Sequence, residues 1–320
     1  MDSGPLAAWL AVKRRTLGIV KAINISGIVE ESMSSAHYIN KVQRSRPTIE
    51  GAGVHLMRAF GPAEVPLLDP FLLLDDFHSR NMSDYIAGFP WHPHRGIETV
   101  TYMIHGVVEH EDSIGNKGAI NSGEVQWMTA GSGILHQEMP QRFEGMMQGF
   151  QLWVNLPRAN KMMSPRYREL RADAIPIVSP EKGIEVRLVA GKLKGVQGPV
   201  RDLVVDVEYM DIALASEMEF AHPVAKGRRA FAYVFEGGAY FEEDSNQAIE
   251  KGHLIVFSEG QEIRVKASQE GARFLFASGT QLREPVAWGG PIVMNTDAEL
   301  ELAFTELREG NFIRAKKRKG

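Results

Sequence analysis

The chain contains no cysteine, which removes disulfides, thiolate metal sites and cysteine nucleophiles together. Any redox role must then run through a metal rather than a thiol, and the absence suits a reducing, cytoplasmic setting. No apolar run approaches the roughly 20 residues that span a bilayer as a helix, so no membrane insertion is expected. An excess of either charge is also missing. The 36 Lys and Arg stand against 40 Asp and Glu, a net charge of -4, which gives no pull toward nucleic acid or an anionic membrane surface. What remains is ordinary globular material. With 320 residues, 44% hydrophobic and 24% charged, the chain can fill two moderate cores.

The two ends read differently from the middle. Residues 1–45 form an N-terminal extension, expected to be poorly ordered in part. Its apolar stretch Ala7 to Val12 precedes Lys13, Arg14 and Arg15, the reverse of the order in a secretory signal. A basic transit peptide stays open as a reading. The favoured one places the translation start at Met33, ahead of Ser34, Ser35 and Ala36. At the other end, residues 314–320 carry Lys316, Lys317, Arg318 and Lys319, read as a solvated basic tail rather than a nuclear signal or a phosphate-binding segment.

Between the ends, short runs rich in β-branched and aromatic residues read as strands. They include Glu98 to Ile104, Gly123 to Thr129, Phe150 to Leu156, Val200 to Met210, Ala230 to Phe235, Leu254 to Phe257 and Arg273 to Ala277. Turn signals at Gly106, Gly115-Asn116, Gly131-Ser132-Gly133, Gly237-Gly238 and Ser258-Glu259-Gly260 separate many of them. Many short strands between turns indicate an all-β sandwich or barrel. Near Asp297 to Gly310, Leu300, Phe304 and Leu307 recur at helical spacing, so a short C-terminal helix is expected. A stretch richer in charge, Pro and Gly divides the chain into a first β domain over 46–160, a connecting segment over 161–198 and a second β domain over 199–313. The similar rhythm of the two halves suits two diverged copies of one barrel.

The chemistry concentrates in two pairs. In a strand, residues i and i+2 project to one face, so His92 and His94 can point at one ion, as can His136 and Glu138. Either pair alone is as readily a surface or core feature. Together, on neighbouring strands, they offer three nitrogens and one carboxylate. That donor set suits Fe, Mn, Co, Ni, Cu or Zn rather than Ca or Mg, which prefer all-oxygen shells.

Several longer segments carry a family resemblance: Asp69-Pro-Phe-Leu-Leu-Leu-Asp-Asp-Phe77, Gly88-Phe-Pro-Trp-His-Pro-His-Arg-Gly-Ile-Glu-Thr-Val-Thr-Tyr102, Gly123-Glu-Val-Gln-Trp-Met-Thr-Ala-Gly-Ser-Gly-Ile-Leu-His-Gln-Glu138, Gln151-Leu-Trp-Val-Asn-Leu-Pro157 and Glu284-Pro-Val-Ala-Trp-Gly-Gly-Pro-Ile-Val-Met-Asn-Thr296. Across roughly residues 40 to 313 the chain resembles the pirin family of bicupins. The resemblance implies two stacked antiparallel β-barrels of the double-stranded β-helix, or jelly-roll, type. It also implies metal ligation by His92, His94, His136 and Glu138, usually to iron, so that one divalent metal, Fe(II) first, is the expected cofactor. In cupins more broadly, a Glu four residues past the second His is often a ligand. Here that residue is Glu98, expected just outside the ligand set and facing inward with His92 and His94 if the strand runs regularly past Gly96. His222 and His253 form no comparable pair, so the second barrel is expected to be metal-free.

Four protein ligands leave two positions open at a six-coordinate ion, enough to hold a substrate oxygen and dioxygen side by side. Glu138 is then the candidate catalytic base, and Phe77, Phe89, Trp91, Trp127 and Met128 are candidate walls for an aromatic ligand. Some pirin-like proteins resemble flavonol 2,3-dioxygenases, which open the central ring of quercetin and release carbon monoxide. The expected function is therefore quercetin 2,3-dioxygenase-type cleavage of a small flavonol-like substrate. The alternative is a non-enzymatic, iron-dependent regulator of a transcription-related or metabolic-enzyme partner. A closed structural ion ranks last, because thiolates dominate such sites.

Overall fold

The computed structural model describes residues 38–314 apart from 66, 243 and 244. The expected basic tail beyond 314 and most of the expected N-terminal extension lie outside the described residues. Strands dominate, and the one α-helix among the described residues, Asp297–Glu309, closes the chain. No described helix is long and apolar enough to cross a membrane.

The first half builds two antiparallel sheets. Seven strands run in the order Arg166–Leu170, Val125–Thr129, Ile97–His105, Met147–Asn155, Phe71–Ser79, Val54–Phe60 and Arg46–Glu50. Four more run in the order Phe89–His94, Ile134–Pro140, Val108–Asp112 and Lys117–Ile120. Apolar side chains from both sheets meet in two small clusters, one around Val54, Met103, Val108 and Ile120, the other around Leu72, Ile97, Met128 and Ile134. The sheets thus close around a shared interior. The second half is a nine-stranded antiparallel sheet centred on the long strands Arg228–Tyr240 and Glu262–Thr280. Its interior holds Val186, Met210, Ile212, Val234, Phe274 and Phe276. A third cluster, with Val100, Tyr102, Trp127 and Phe150 from one half and Tyr209, Phe231, Tyr233 and Leu275 from the other, joins the halves back to back.

This is the bicupin arrangement, with local differences from expectation. Ile39–Arg44, read from sequence as part of the extension, is a strand that pairs with His253–Phe257 of the second half. Within the segment read as a connector, Arg166–Leu170 pairs with the first sheet and Ile184–Ala190 with the second. The strand expected from Val200 begins at Val207, after a turn in which Asp202 takes a φ of 55°. The helix matches its sequence signals. Thr296 and Glu299 form a capping box at its start, and Gly310 ends it in the left-handed region, a conformation that costs glycine little.

Ala287–Gly289, Ile292–Met294 and the helix do not stay with the second barrel. They return to the first one, where Ile292 bridges Arg95 and Val293 N–H donates to the Arg95 carbonyl at 3.1 Å.

Candidate metal centre

Three adjacent strands of the four-stranded sheet carry the site. Antiparallel register sets His136 opposite His92 on one side and opposite Asp112 on the other, while Glu138 pairs with His110. Ligand atoms of His92, His94 and His136 all lie within 4.8 Å of one another. His94 and His136 are buried and His92 is half-buried, so solvent reaches the cluster at the His92 edge.

Hydrogen bonds set the two imidazoles of the His-Pro-His segment. His92 Nδ1 lies 2.9 Å from the Pro90 carbonyl and His94 Nδ1 lies 3.1 Å from the Pro291 carbonyl. A carbonyl only accepts, so both rings carry their proton on Nδ1. Their Nε2 atoms then face each other as bare lone pairs 3.1 Å apart, an arrangement that repels unless a cation lies between them. Burial pushes His92 down to about 4 and holds His94 and His136 well below the ordinary imidazole range. A proton therefore cannot serve as that cation near neutral pH, whereas a metal requires neutral imidazoles. His136 adds two buried ring nitrogens with no hydrogen-bond partner, a costly state for polar atoms unless something binds them. The residues fit a divalent transition metal.

Glu138 stands apart from that mutually close trio. Its Oε1 accepts from Thr101 Oγ1 at 2.7 Å, and Thr101 Oγ1 accepts in turn from Gln151 Nε2 at 2.7 Å. Burial raises the Glu138 carboxyl above its usual range, with the Thr101 bond pulling the other way. Oε2 takes no part in the Thr101 bond.

Glu98 departs from expectation. Gly96 takes a φ of 79° and breaks the strand between His94 and Ile97, so the alternation of faces does not carry through. Glu98 falls on the face of Val100 and Tyr102, toward the second barrel. There it accepts from Trp127 Nε1 at 3.0 Å and Thr129 Oγ1 at 2.6 Å. It is a partner of the inter-barrel core rather than a neighbour of the metal ligands. Trp127, expected as a pocket wall, belongs to the same core.

His110 is the residue that sequence reading missed. It is buried, its ring centroid is 5.5 Å from that of His136, and it stacks on Tyr167 at 5.1 Å. Asp112 lies beyond it, with Oδ2 3.6 Å from His110 Nε2. Burial pushes the Asp112 carboxyl up, but the nearby His110 imidazole and the bonds donated by Asn116 hold it below its usual range. The signal was present: His110-Glu111-Asp112 repeats the i, i+2 rhythm of the two pairs that were singled out.

A histidine cluster inside the first barrel of a double β-barrel defines a metal-binding bicupin. Comparison with known proteins narrows the class. The family model for pirin matches residues 53–154, and that for the pirin C-terminal cupin domain matches residues 209–313. A pirin-like protein of Caulobacter vibrioides is 42% identical over 273 residues, covering 85% of this chain and 98% of the relative. Human pirin is 39% identical over 289 residues, covering 89% and 97%. Among solved structures, a quercetin 2,3-dioxygenase from Acinetobacter baumannii superposes with a TM-score of 0.80 at 31% identity, covering 88% of this chain and 99% of that one. The chain belongs to the pirin family. Its relatives and the histidine cluster support a metal-dependent function of the cupin type, with a divalent metal and a small-molecule substrate.

Proposed function

We propose that the protein is an Fe(II)-dependent dioxygenase that cleaves the central ring of quercetin or a related flavonol. The observation that carries this reading is the pair of Nε2 lone pairs facing each other at 3.1 Å beside the unpartnered His136. Likeness to a quercetin 2,3-dioxygenase at a TM-score of 0.80 supplies the substrate class. His92, His94 and His136 would hold the ion, with Glu138 as fourth ligand; Zn, Mn, Ni, Co or Cu suit the same donors. Bound there, a redox-active ion supplies activation of dioxygen next to the substrate.

The chain's own groups do the rest. Thr101, oriented by Gln151, fixes Oε1 of Glu138. That leaves Oε2 as the atom that would meet the metal and take the proton of the flavonol hydroxyl, its basicity then set by the cation as well as by burial. The half-buried His92 edge admits the substrate, while the packed clusters behind His94 and His136 keep bulk water out.

The burial of His94, His136 and Glu138 also favours a second reading, in which the metal sets a surface recognised by a protein partner. Anaerobic reconstitution with iron, followed by oxygen uptake with quercetin, separates the two. Metal-dependent oxygen consumption with ring cleavage is expected, and it disappears in His94→Ala. A filled iron site without turnover would overturn the dioxygenase reading in favour of the partner-binding one.

A further inference from the structure

The chain's last segment forms part of the wall of the metal centre, although more than 190 residues separate it from the His-Pro-His motif. Pro291 supplies the carbonyl that meets His94 Nδ1 at 3.1 Å, a contact spanning 197 positions. Three further ties hold the segment in place. Lys161, 2% exposed, donates its Nζ protons to Gly96 O at 2.9 Å, Val293 O at 2.9 Å and Asn155 Oδ1 at 2.7 Å. The three acceptors match the three donors of an ammonium group, and two of them belong to the two segments being joined.

Arg95, the residue after His94, makes the second tie. Its guanidinium pairs with Glu306 of the helix at 2.7 Å, donates to Phe312 O at 2.9 Å and Ser132 O at 2.8 Å, and lies 4.1 Å over the Phe312 ring. The third tie is steric. A Cβ on Gly96 would meet Val293 O at 1.9 Å, so the backbones approach more closely there than any side chain allows. Trp153 continues the wall, with its ring edge-on to His94 at 5.0 Å and tilted against Trp288 at 5.9 Å.

The geometry points to a clasp. Lys161, Arg95 and Glu306 are positioning residues that press residues 287–312 onto the first barrel, so that the Pro291 carbonyl orients His94 and directs its Nε2 at the metal. The partner of a ligating imidazole's second nitrogen sets ring orientation and basicity, and its loss typically lowers metal affinity by about 10–100-fold. Linkage then requires the reverse: metal binding must tighten the clasp by the same factor.

The inference rests on the three-histidine metal site, and its test is read without turnover. Cobalt(II) affinity of the full chain is measured by competition with a chromophoric chelator for the wild type, Lys161→Met and Glu306→Gln. The second variant keeps every apolar contact of the clasp, in case the first fails to fold. Hydrogen exchange at the Val293 amide, which donates to Arg95 O, is followed with and without cobalt. So is the paramagnetically shifted Nδ1–H of His94. Expected are an affinity about tenfold weaker in the variants, slower Val293 exchange on cobalt binding, and faster exchange of the His94 proton in the variants. A general loss of stability would speed exchange at amides throughout the first barrel, whereas a loosened clasp speeds it at Val293 and His94 and leaves the rest unchanged. Unchanged affinity and unchanged exchange at both positions would overturn the clasp while leaving the metal site standing. Failure of the wild type to bind cobalt would overturn both.

Discussion

The two barrels share an architecture and differ in what they bury. The interior of the second is packed with Val186, Met210, Ile212, Val234, Phe274 and Phe276. Its buried histidine, His222, sits 3.4 Å from Glu208, which also accepts from Ser278 at 2.7 Å, and Ser278 accepts in turn from Arg228 at 2.9 Å. In the first barrel His92, His94 and His136 have no such acid partner. His136 has none on either nitrogen, and the Nε2 atoms of His92 and His94 meet lone pair to lone pair. Buried polar groups that bond to one another hold a fold together, whereas those left facing one another mark where something else binds. The His222–Glu208–Ser278–Arg228 contacts of the second barrel are thus linked to one another, and the Nε2 atoms of His92 and His94 are not.

That contrast breaks most sharply under His94→Ala. Loss of a partner behind a ligand costs about 10–100-fold, so loss of the ligand itself should lower metal affinity by about 100-fold or more, with far-ultraviolet circular dichroism unchanged. Full metal retention in the variant would remove His94 from the ligand set. The mirror experiment is Phe274→Ala in the second barrel. Truncating a fully buried Phe should cost about 3–5 kcal/mol in denaturant unfolding and leave the metal content of the folded protein intact. Lost metal at full occupancy of the fold would show the barrels to be functionally coupled.

Glu138→Gln should act more gently on binding than on chemistry. The amide still accepts from Thr101, so part of the metal stays, while the proton acceptor is gone and quercetin turnover falls by about 100-fold, within the range of general bases. Normal turnover would refute the base assignment.

The smallest effect is in pH. An imidazole of ordinary pKa, about 6.5, begins to lose metal to protons just below neutrality. Burial holds His92 near 4 and His94 and His136 well below the ordinary imidazole range, so protons compete with the imidazoles only in acid. In Glu138→Gln, which removes the one proposed ligand whose carboxyl burial raises, cobalt affinity should stay flat from neutral pH down to about 5 and fall as pH approaches 4. A decline starting near 6.5 would show that the imidazoles are solvated before the metal arrives.

Much of this was readable in the chain. The i, i+2 pairs His92/His94 and His136/Glu138, the turn glycines and the Thr296–Gly310 helix signals are local patterns, and local geometry makes them legible. Glu98 was misplaced because the face alternation does not survive the positive φ of Gly96. His110 was missed although His110-Glu111-Asp112 carries the same i, i+2 spacing, because only strand register sets it against Glu138. Ile39–Arg44 could not be assigned to its sheet, because its partner lies more than 200 residues away.

By itself, the sequence determined the donor types, the β-rich halves and the absence of any thiol chemistry, since each follows from residue identity and short spacing. Tertiary structure alone decided which face Glu98 takes, that His110 stands beside the ligands, and that the Pro291 carbonyl reaches back to His94. Those outcomes depend on strand register and on long-range packing, where a shift of one residue exchanges the two faces of a strand.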